Sequence, residues 1–243
     1  MKSSQENFIE KAFEFIRPIW MWIRRISPKG TYIKLGEYWV KDPSIPKIDR
    51  LFVRTRNKVD QPDYEQNTVT ALRKYIKGGD LVTIVGGGYG ITGMVAIENG
   101  GKVTLIEASK ERAQNIRDTW KQYKLKGSVI HGFVGSPISI WGELDGAKKI
   151  EVLPECDILE LDCEGAEKEV LLNINFRPRI IIVESHGHLG SPSSLVKYQL
   201  ENLGYRVIDE MVEHLENDIK VFVGEKIEIN NKFDNKSKTL NLI

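Results

Sequence analysis

The sequence predicts an α/β fold in which a mostly parallel, doubly wound sheet of seven strands is covered by helices on both faces. From residue 68 onward, short apolar runs alternate with segments of helical periodicity. The apolar runs are continuous rather than alternating, which is typical of parallel strands buried on both faces. A glycine-rich turn joins the first of these strands to its helix, and the 243 residues are enough for one such domain.

The elements of this domain follow one another at short spacing. We predict helices over residues 68–77, 91–99, 110–124, 166–172 and 192–203, and strands over residues 81–85, 103–106, 128–134, 158–161, 180–183, 205–208 and 219–223. The last two strands leave no room for a long helix between them, so we expect them to pair antiparallel.

The first 62 residues differ from the rest in charge and composition. Residues 1–60 carry six more basic than acidic side chains, whereas residues 61–243 carry five more acidic than basic ones. We predict that residues 1–62 form a basic, aromatic lead-in or cap, helical over about 7–26 and otherwise irregular. Residues 63–229 would form the main domain and residues 230–243 a flexible tail.

The helical part of the lead-in has two interpretations. Apolar and arginine side chains would allow residues 7–26 to lie in a membrane interface as a peripheral contact. Alternatively, the helix packs on the domain and covers the active site. Glu6, Glu10 and Glu14 favour packing, because anionic lipid would repel them.

Composition also limits compartment and partners. Only two cysteines occur, and the chain starts without the apolar run of a secretory signal, so we expect a cytoplasmic protein, with a membrane-peripheral one as the alternative. The net charge of +1 argues against nucleic acid as a partner.

The glycine turn predicts a cofactor site. Gly86, Gly88 and Gly90 lie between a strand and a helix, where they allow a sharp turn and close approach of a ligand. Glu107 ends the next strand, where a carboxylate can accept both hydroxyls of a ribose. A G-x-G-x-x-G reading ending at Gly93 suits a dinucleotide and a G-x-G-x-G reading suits S-adenosylmethionine, so the turn alone does not choose between them. A structural turn without a ligand is the third alternative.

Five motifs follow one another in order along residues 63–224. They are Tyr64-Glu65, Lys77-Gly78-Gly79-Asp80, the D-x-E-G-A-E hexapeptide from Asp162 to Glu167, Glu184-Ser185-His186 and Leu203-Gly204-Tyr205. Through these motifs, this part of the chain resembles the FkbM-type family of S-adenosylmethionine-dependent methyltransferases.

This resemblance implies a Rossmann-like class I methyltransferase that uses S-adenosylmethionine and methylates a hydroxyl of a small molecule or glycan. We expect Asp162 to contact the cofactor or acceptor. We expect His186 to be the base, because an imidazole has an ordinary pKa of about 6.5 and this one follows a strand end; the alternative is a loop histidine with a backbone partner. The expected cofactor-binding positions are Glu65, Gly86, Gly88, Gly90, Glu107, Ala108, Gly135, Ser136 and Asp162. Gly135 and Ser136 would line the adenine.

Two features of the sequence qualify this interpretation. Methyltransferases of this class usually carry an acid two positions before the first glycine, where this chain has Ile84; Glu65 or Asp162 would then supply the negative group. Oxygen and nitrogen ligands for a metal ion are available at Asp162, Glu164, Glu184, His186 and His188. Their spacing matches no fixed metal motif, so we expect no metal.

Two other function classes stay open at this stage. One is an NAD(P)-dependent oxidoreductase, and the other is a non-catalytic binding protein that retains a methyltransferase fold. The sequence indicates neither the acceptor nor the oligomeric state.

Overall fold

An eight-stranded sheet forms the centre of the fold in the computed structural model, which describes residues 17–50, 60–136, 144 and 146–228. The helices are α1 (residues 17–26), α2 (Gln66–Tyr75), α3 (Ile91–Glu98), α4 (Lys110–Gln122), α5 (Glu167–Asn173) and α6 (Ser193–Asn202). The strands are β1 (Lys29–Leu35), β2 (Tyr38–Pro46), β3 (Leu81–Val85), β4 (Lys102–Glu107), β5 (Ser128–Phe133), β6 (Lys148–Lys149), β7 (Ile158–Leu161), β8 (Ile180–His186), β9 (Tyr205–His214) and β10 (Ile219–Lys226).

The strand order of the large sheet is β6-β5-β4-β3-β7-β8-β10-β9. Strands β3 to β8 run parallel, whereas β10 pairs antiparallel with both β8 and β9. The predicted doubly wound, mostly parallel sheet and its antiparallel closing pair are therefore confirmed, with β6 as an additional edge strand. The order reverses between β3 and β7, and such a switch point is where open α/β sheets bind ligands, at the carboxyl ends of the strands.

Continuous apolar runs form the central strands because both faces of the sheet are covered. One core contains Ile84, Leu105 and Ile182 from one face, and a second contains Val85, Leu159 and Val183 from the other. All six side chains are at most 3% exposed. Helices α2 and α3 contribute to the first core and α5 and α6 to the second, so the sheet is sandwiched as expected.

Strands β8, β9 and β10 extend beyond their predicted ends. Strand β8 continues to His186 because Ile219 of β10 pairs with that residue. Strand β9 continues to His214 as half of an exposed antiparallel ribbon, where polar side chains interrupt the apolar run. The extension places Glu184 and His186 inside a strand, with fixed orientation, rather than in a loop.

Residues 29–46 correct the prediction of an irregular lead-in. They form an antiparallel hairpin of β1 and β2, in which alternate side chains face the domain. Four of these side chains are at most 5% exposed and share the first core with Leu105; they are Ile33, Leu35, Tyr38 and Val40. The prediction missed the hairpin because only one of its faces is apolar and Pro43 and Pro46 interrupt β2.

The hairpin also contacts the glycine turn directly. Tyr89, inside the turn, donates a hydrogen bond to Asp42 of β2, and Ser44 donates to Asp42 through its backbone nitrogen. The Arg112 guanidinium lies 4.2 Å from the centre of the Tyr89 ring. Burial alone would raise the pKa of Asp42, but the hydrogen bonds from Ser44 and Tyr89 outweigh it and hold that pKa below its usual value.

We expect the substitution Asp42→Asn to lower the free energy of unfolding by about 1.5 kcal/mol at neutral pH, because buried donors lose a charged acceptor. A carboxylate whose pKa is lowered in the folded state stabilises it above the unfolded pKa, and this stabilisation is lost as the pH falls through the folded pKa. The deficit should therefore shrink at about pH 3. Urea denaturation at both pH values measures this deficit in the free energy of unfolding.

The exposed Glu37→Gln serves as the control. It breaks only a surface pair with Arg73 and should change the free energy of unfolding by less than about 0.5 kcal/mol. A deficit that does not vary with pH would contradict the assignment.

Helix α1 lies beside the hairpin rather than over the sheet. Arg24 pairs with the buried Asp49 at 3.0 Å, and Ile19, Met21 and Trp22 are more than half exposed. None of the described α1 residues lines the cleft described below, and the expectation that this helix covers the active site stays a prediction. Residues 7–16 of the predicted helix and the predicted tail 230–243 lie outside the described residues. Within the described ranges, no helix is long and apolar enough to cross a membrane.

Candidate active site

A cleft opens at the carboxyl ends of β3, β4 and β7, at the switch point of the sheet. Its walls come from the glycine turn, the end of β4, the start of the loop after β5 and the segment that follows β7. The lining residues are Tyr64, Glu65, Val85, Gly86, Gly88, Ile106, Glu107, Ala108, Arg112, Gly132, Phe133, Val134, Asp162, Cys163 and Glu164.

The glycine turn packs tightly against the end of β7. Gly86 has a φ of +94°, and a Cβ atom built on it would lie 1.6 Å from the backbone oxygen of Asp162. The Gly86 nitrogen donates to Ile106 at 3.0 Å, and the Asp162 nitrogen donates to Val85 at 2.9 Å. The absence of a side chain at Gly86 therefore brings Asp162 to the edge of the turn.

Glu107 fixes the conformation of the same turn. One carboxylate oxygen accepts hydrogen bonds from the nitrogens of Gly87 (3.0 Å) and Gly88 (3.1 Å), and the other accepts from Ser109 (2.7 Å). Burial raises the pKa of Glu107, and these three backbone donors oppose the rise. Because Glu107 also lines the cleft, it both shapes the turn and forms part of the cleft wall.

The structure brings together most of the predicted cofactor-binding positions. Six of them line the cleft: Glu65, Gly86, Gly88, Glu107, Ala108 and Asp162. Gly90 does not line it: it begins α3, and a Cβ there would meet Ile116 at 2.8 Å.

The two residues predicted to line an adenine lie just outside the cleft. Gly135 and Ser136 do not line the cleft, where Phe133 and Val134 lie instead; Gly135 faces Glu169 in a separate cavity. Apolar side chains at this point suit one face of an adenine ring.

A second, acidic cavity of about 600 Å³ adjoins the cleft and shares Tyr64, Glu65, Asp162 and Glu164 with it. This volume falls in the range of small-molecule sites. Among its described lining residues none is Lys or Arg. The residues are Gln61, Asp63, Tyr64, Glu65, Asp162, Glu164, Glu184, His186, His188, Leu189, Glu213, Asn217 and Ile219.

His186 is held at the wall of the acidic cavity by Glu167. Its Nδ1 lies 2.9 Å from the Glu167 carboxylate, which is 0% exposed and also accepts from the nitrogens of Cys163 and Gly165. Burial lowers the pKa of His186, but the hydrogen bond to Glu167 and the charge of Asp162 outweigh it and raise this pKa to about 9. An imidazole with a pKa raised in this way holds its proton at neutral pH, which does not suit the predicted role of base.

The acid missing at Ile84 has a counterpart on the neighbouring strand. Ile84 pairs with Glu160 of β7, so the two side chains lie on the same face of the sheet at the same level. Glu160 is 1% exposed, and its Oε2 has no hydrogen-bond partner among the described residues. Burial, together with Asp162 and Glu65, raises its pKa well above the usual value.

Some site residues escaped the sequence analysis. Glu160 and Glu213 belong to strands whose registers were not known in advance. Tyr64 was noted only as part of a motif. The one available signal was Glu160, a charged residue inside an otherwise apolar strand. Burying a charge costs free energy, so such a residue is unusual there. Arg112 gave no signal, since an arginine on a helix is ordinary.

Comparison with known proteins identifies the fold. No family model and no curated protein sequence matches the chain. Among solved structures, a tRNA m1G37 methyltransferase from M. jannaschii superposes with a TM-score of 0.54 at 12% identity, over 83% of this chain and 58% of that one. A ribosomal protein L11 methylase from Lactobacillus delbrueckii subsp. bulgaricus superposes with a TM-score of 0.51 at 12% identity, over 69% and 80%.

The chain therefore has the Rossmann-like fold of class I methyltransferases. At such low identity the likeness extends to the fold and not to the acceptors, a tRNA and a ribosomal protein, that the two names give.

Proposed function

We propose that the protein is an S-adenosylmethionine-dependent methyltransferase related to the FkbM-type enzymes, which methylates a hydroxyl of a small molecule or glycan. The observation that supports this proposal is the pair of adjoining cavities. One is built on the glycine turn and Glu107, the other is open to an acceptor, and Asp162 and Glu65 lie at their junction.

The residues of the first cavity suit this cofactor. Gly86 and Gly88 let the backbone approach a ligand closely, and Glu107 offers carboxylate oxygens to ribose hydroxyls. Phe133 and Val134 supply apolar contacts for the base. Asp162 and Glu65 supply negative charge for the cationic amino end, in place of the acid absent at Ile84.

The chain would act mainly by positioning and by accepting a proton. S-adenosylmethionine, when bound, would supply an electrophilic methyl group to the acceptor oxygen, with the electrons of the C–S bond left on sulfur. The hydroxyl proton would pass to a carboxylate that lines both cavities, and among Glu65, Asp162 and Glu164 we assign this role to Asp162, which directly follows β7. Holding donor and acceptor in line supplies much of the acceleration.

Two observations favour this proposal over the alternatives. The antiparallel β10 between β8 and β9 departs from the six-stranded order of dinucleotide-binding folds, which disfavours an oxidoreductase. The carboxylates of the acidic cavity would repel phosphates, which disfavours a nucleic acid as acceptor.

Calorimetric titration with S-adenosylhomocysteine tests cofactor binding. We expect one site per chain with a dissociation constant of about 1–100 μM, equivalent to roughly −8 to −5.5 kcal/mol, and no heat from NADH. No binding at millimolar S-adenosylhomocysteine would refute the proposal. Incubation with methyl-labelled S-adenosylmethionine and a panel of glycans and small alcohols should then label an acceptor. Binding without labelling of any acceptor would favour the non-catalytic alternative.

A further inference from the structure

We propose that the acidic cavity contains a binding site for one divalent metal ion, with His186, Asp162, Glu164 and Glu184 as ligands. This reverses the expectation from sequence spacing that the protein holds no metal. The four side chains come from β8 and from the segment after β7, so only the folded sheet brings them together.

The distances around His186 support a shared ion. Its Nε2 lies 3.5 Å from Asp162, 3.8 Å from Glu184 and 3.9 Å from Glu164, measured to the nearest carboxylate oxygen. Two ligands that are each about 2.1 Å from one ion stand about 3.0 Å apart at right angles and about 4.2 Å apart when opposite. These three separations, all measured from Nε2, fall between the limits and are too long for good hydrogen bonds. Among the described residues, the ligand atoms that all lie within 4.8 Å of one another are those of Asp162, Glu167 and His186, so Glu164 and Glu184 must turn toward the ion to complete the site.

The orientation of the imidazole is a second, independent observation. His186 is 4% exposed, and Nε2 points at the three carboxylates without a hydrogen bond to any described residue. Its other nitrogen is fixed by the buried Glu167, which itself accepts two backbone hydrogen bonds. A carboxylate behind the non-ligating nitrogen is the usual support of a metal-bound histidine.

The negative charge around the site also favours a bound cation. The buried Glu160 lies on the same face of β7 as Asp162, with an oxygen that has no partner among the described residues. Glu65 and Glu213 add further carboxylates to the cavity, and its described lining offers neither Lys nor Arg in compensation. Packed acids of this kind need protons or a positive ion.

The ligand set indicates the kind of metal. Carboxylates suit Mg²⁺, Ca²⁺ and Mn²⁺, whereas an imidazole suits Zn²⁺ and other transition metals. Mn²⁺, a transition metal that accepts oxygen ligands, is the ion we assign to this mixed set. Its role rests on the proposed function: an ion there would bind the acceptor hydroxyl and make it more acidic, which suits acceptors with two neighbouring oxygen atoms. Metal binding itself does not depend on the cofactor.

Titration of chelator-treated protein with Mn²⁺, followed by calorimetry and by loss of the electron paramagnetic resonance signal of free Mn²⁺, tests this site. We expect one ion per chain. Glu164→Gln, which alters a half-exposed ligand, should weaken binding at least about tenfold. Glu213→Gln removes one charge from the same cavity without removing a ligand and should weaken it less than about threefold.

Two results would overturn the inference. One is the absence of saturable binding of Mn²⁺ or Zn²⁺ at millimolar concentration, which would mean that the His186 imidazolium balances the acids alone. The other is an equal loss in Glu164→Gln and Glu213→Gln, which would mean diffuse attraction. Circular dichroism verifies the fold of both variants. Titration of the same samples with S-adenosylhomocysteine separates this inference from the proposed function, since either ligand can bind when the other fails.

Discussion

The substitution Gly86→Ala should destabilise the protein by roughly 4 kcal/mol and abolish cofactor binding. The added Cβ would lie 1.6 Å from the backbone oxygen of Asp162, so β3 and β7 would have to separate at their carboxyl ends. Backbone atoms on adjacent central strands cannot give way as a flexible side chain can. The free energy of unfolding in urea and the affinity for S-adenosylhomocysteine measure the two effects.

Gly79 provides a closely matched control. Its φ is +95° against +94° for Gly86, but a Cβ there meets nothing within 4 Å. Gly79→Ala therefore carries the backbone strain alone and should cost about 1–2 kcal/mol, with cofactor affinity unchanged. Equal losses in the two variants would mean that the contact with Asp162 is unimportant and that the turn is less tightly packed than the structure shows.

The substitution Glu107→Gln should weaken binding of S-adenosylhomocysteine at least about 30-fold, or roughly 2 kcal/mol. The amide keeps one oxygen, so it can serve either the two nitrogens of the glycine turn or that of Ser109, but not both. A ribose would in addition lose a charged acceptor. Calorimetric titration measures the affinity, and urea denaturation should show a stability loss of about 1–3 kcal/mol.

Glu111→Gln serves as the control for this variant. Glu111 lies four positions later in the first turn of α4, is exposed and does not line the cleft. Its affinity for S-adenosylhomocysteine should stay within about twofold, since an exposed charge at this distance is screened. An unchanged affinity in Glu107→Gln would show that Glu107 has only a structural role and that the ribose is held elsewhere.

The sequence was sufficient to predict the main sheet because its strands carry strong local signals. Strands such as Ile158–Leu161 are uninterrupted apolar runs, and glycines or helical repeats mark their ends. The hairpin of β1 and β2 and the outer part of β9 were missed for one shared reason. Their stability comes from pairing and from one buried face, so no apolar run reveals them.

The candidate site was only partly predictable, for a different reason. Gly86, Glu107 and Asp162 lie at strand ends, where chain order alone indicates that they meet. The acidic cavity depends on the register of β7, β8 and β10, which brings Glu160 under Asp162 and Glu184 beside it. The role of Glu167 as the partner of His186 also needed coordinates, because the two residues are 19 positions apart.

The hairpin has a practical consequence for where the protein can be cut. A fragment that begins at residue 63, the start of the domain predicted from composition, would leave the partners of Ile33, Leu35 and Val40 exposed to water and Tyr89 without Asp42. Such a fragment should aggregate or lose its ligand-binding turn, although every strand of the large sheet is present. Expression trials of shortened versions should therefore begin before Lys29, and a protease site introduced between the hairpin and α2 should yield two pieces that stay together.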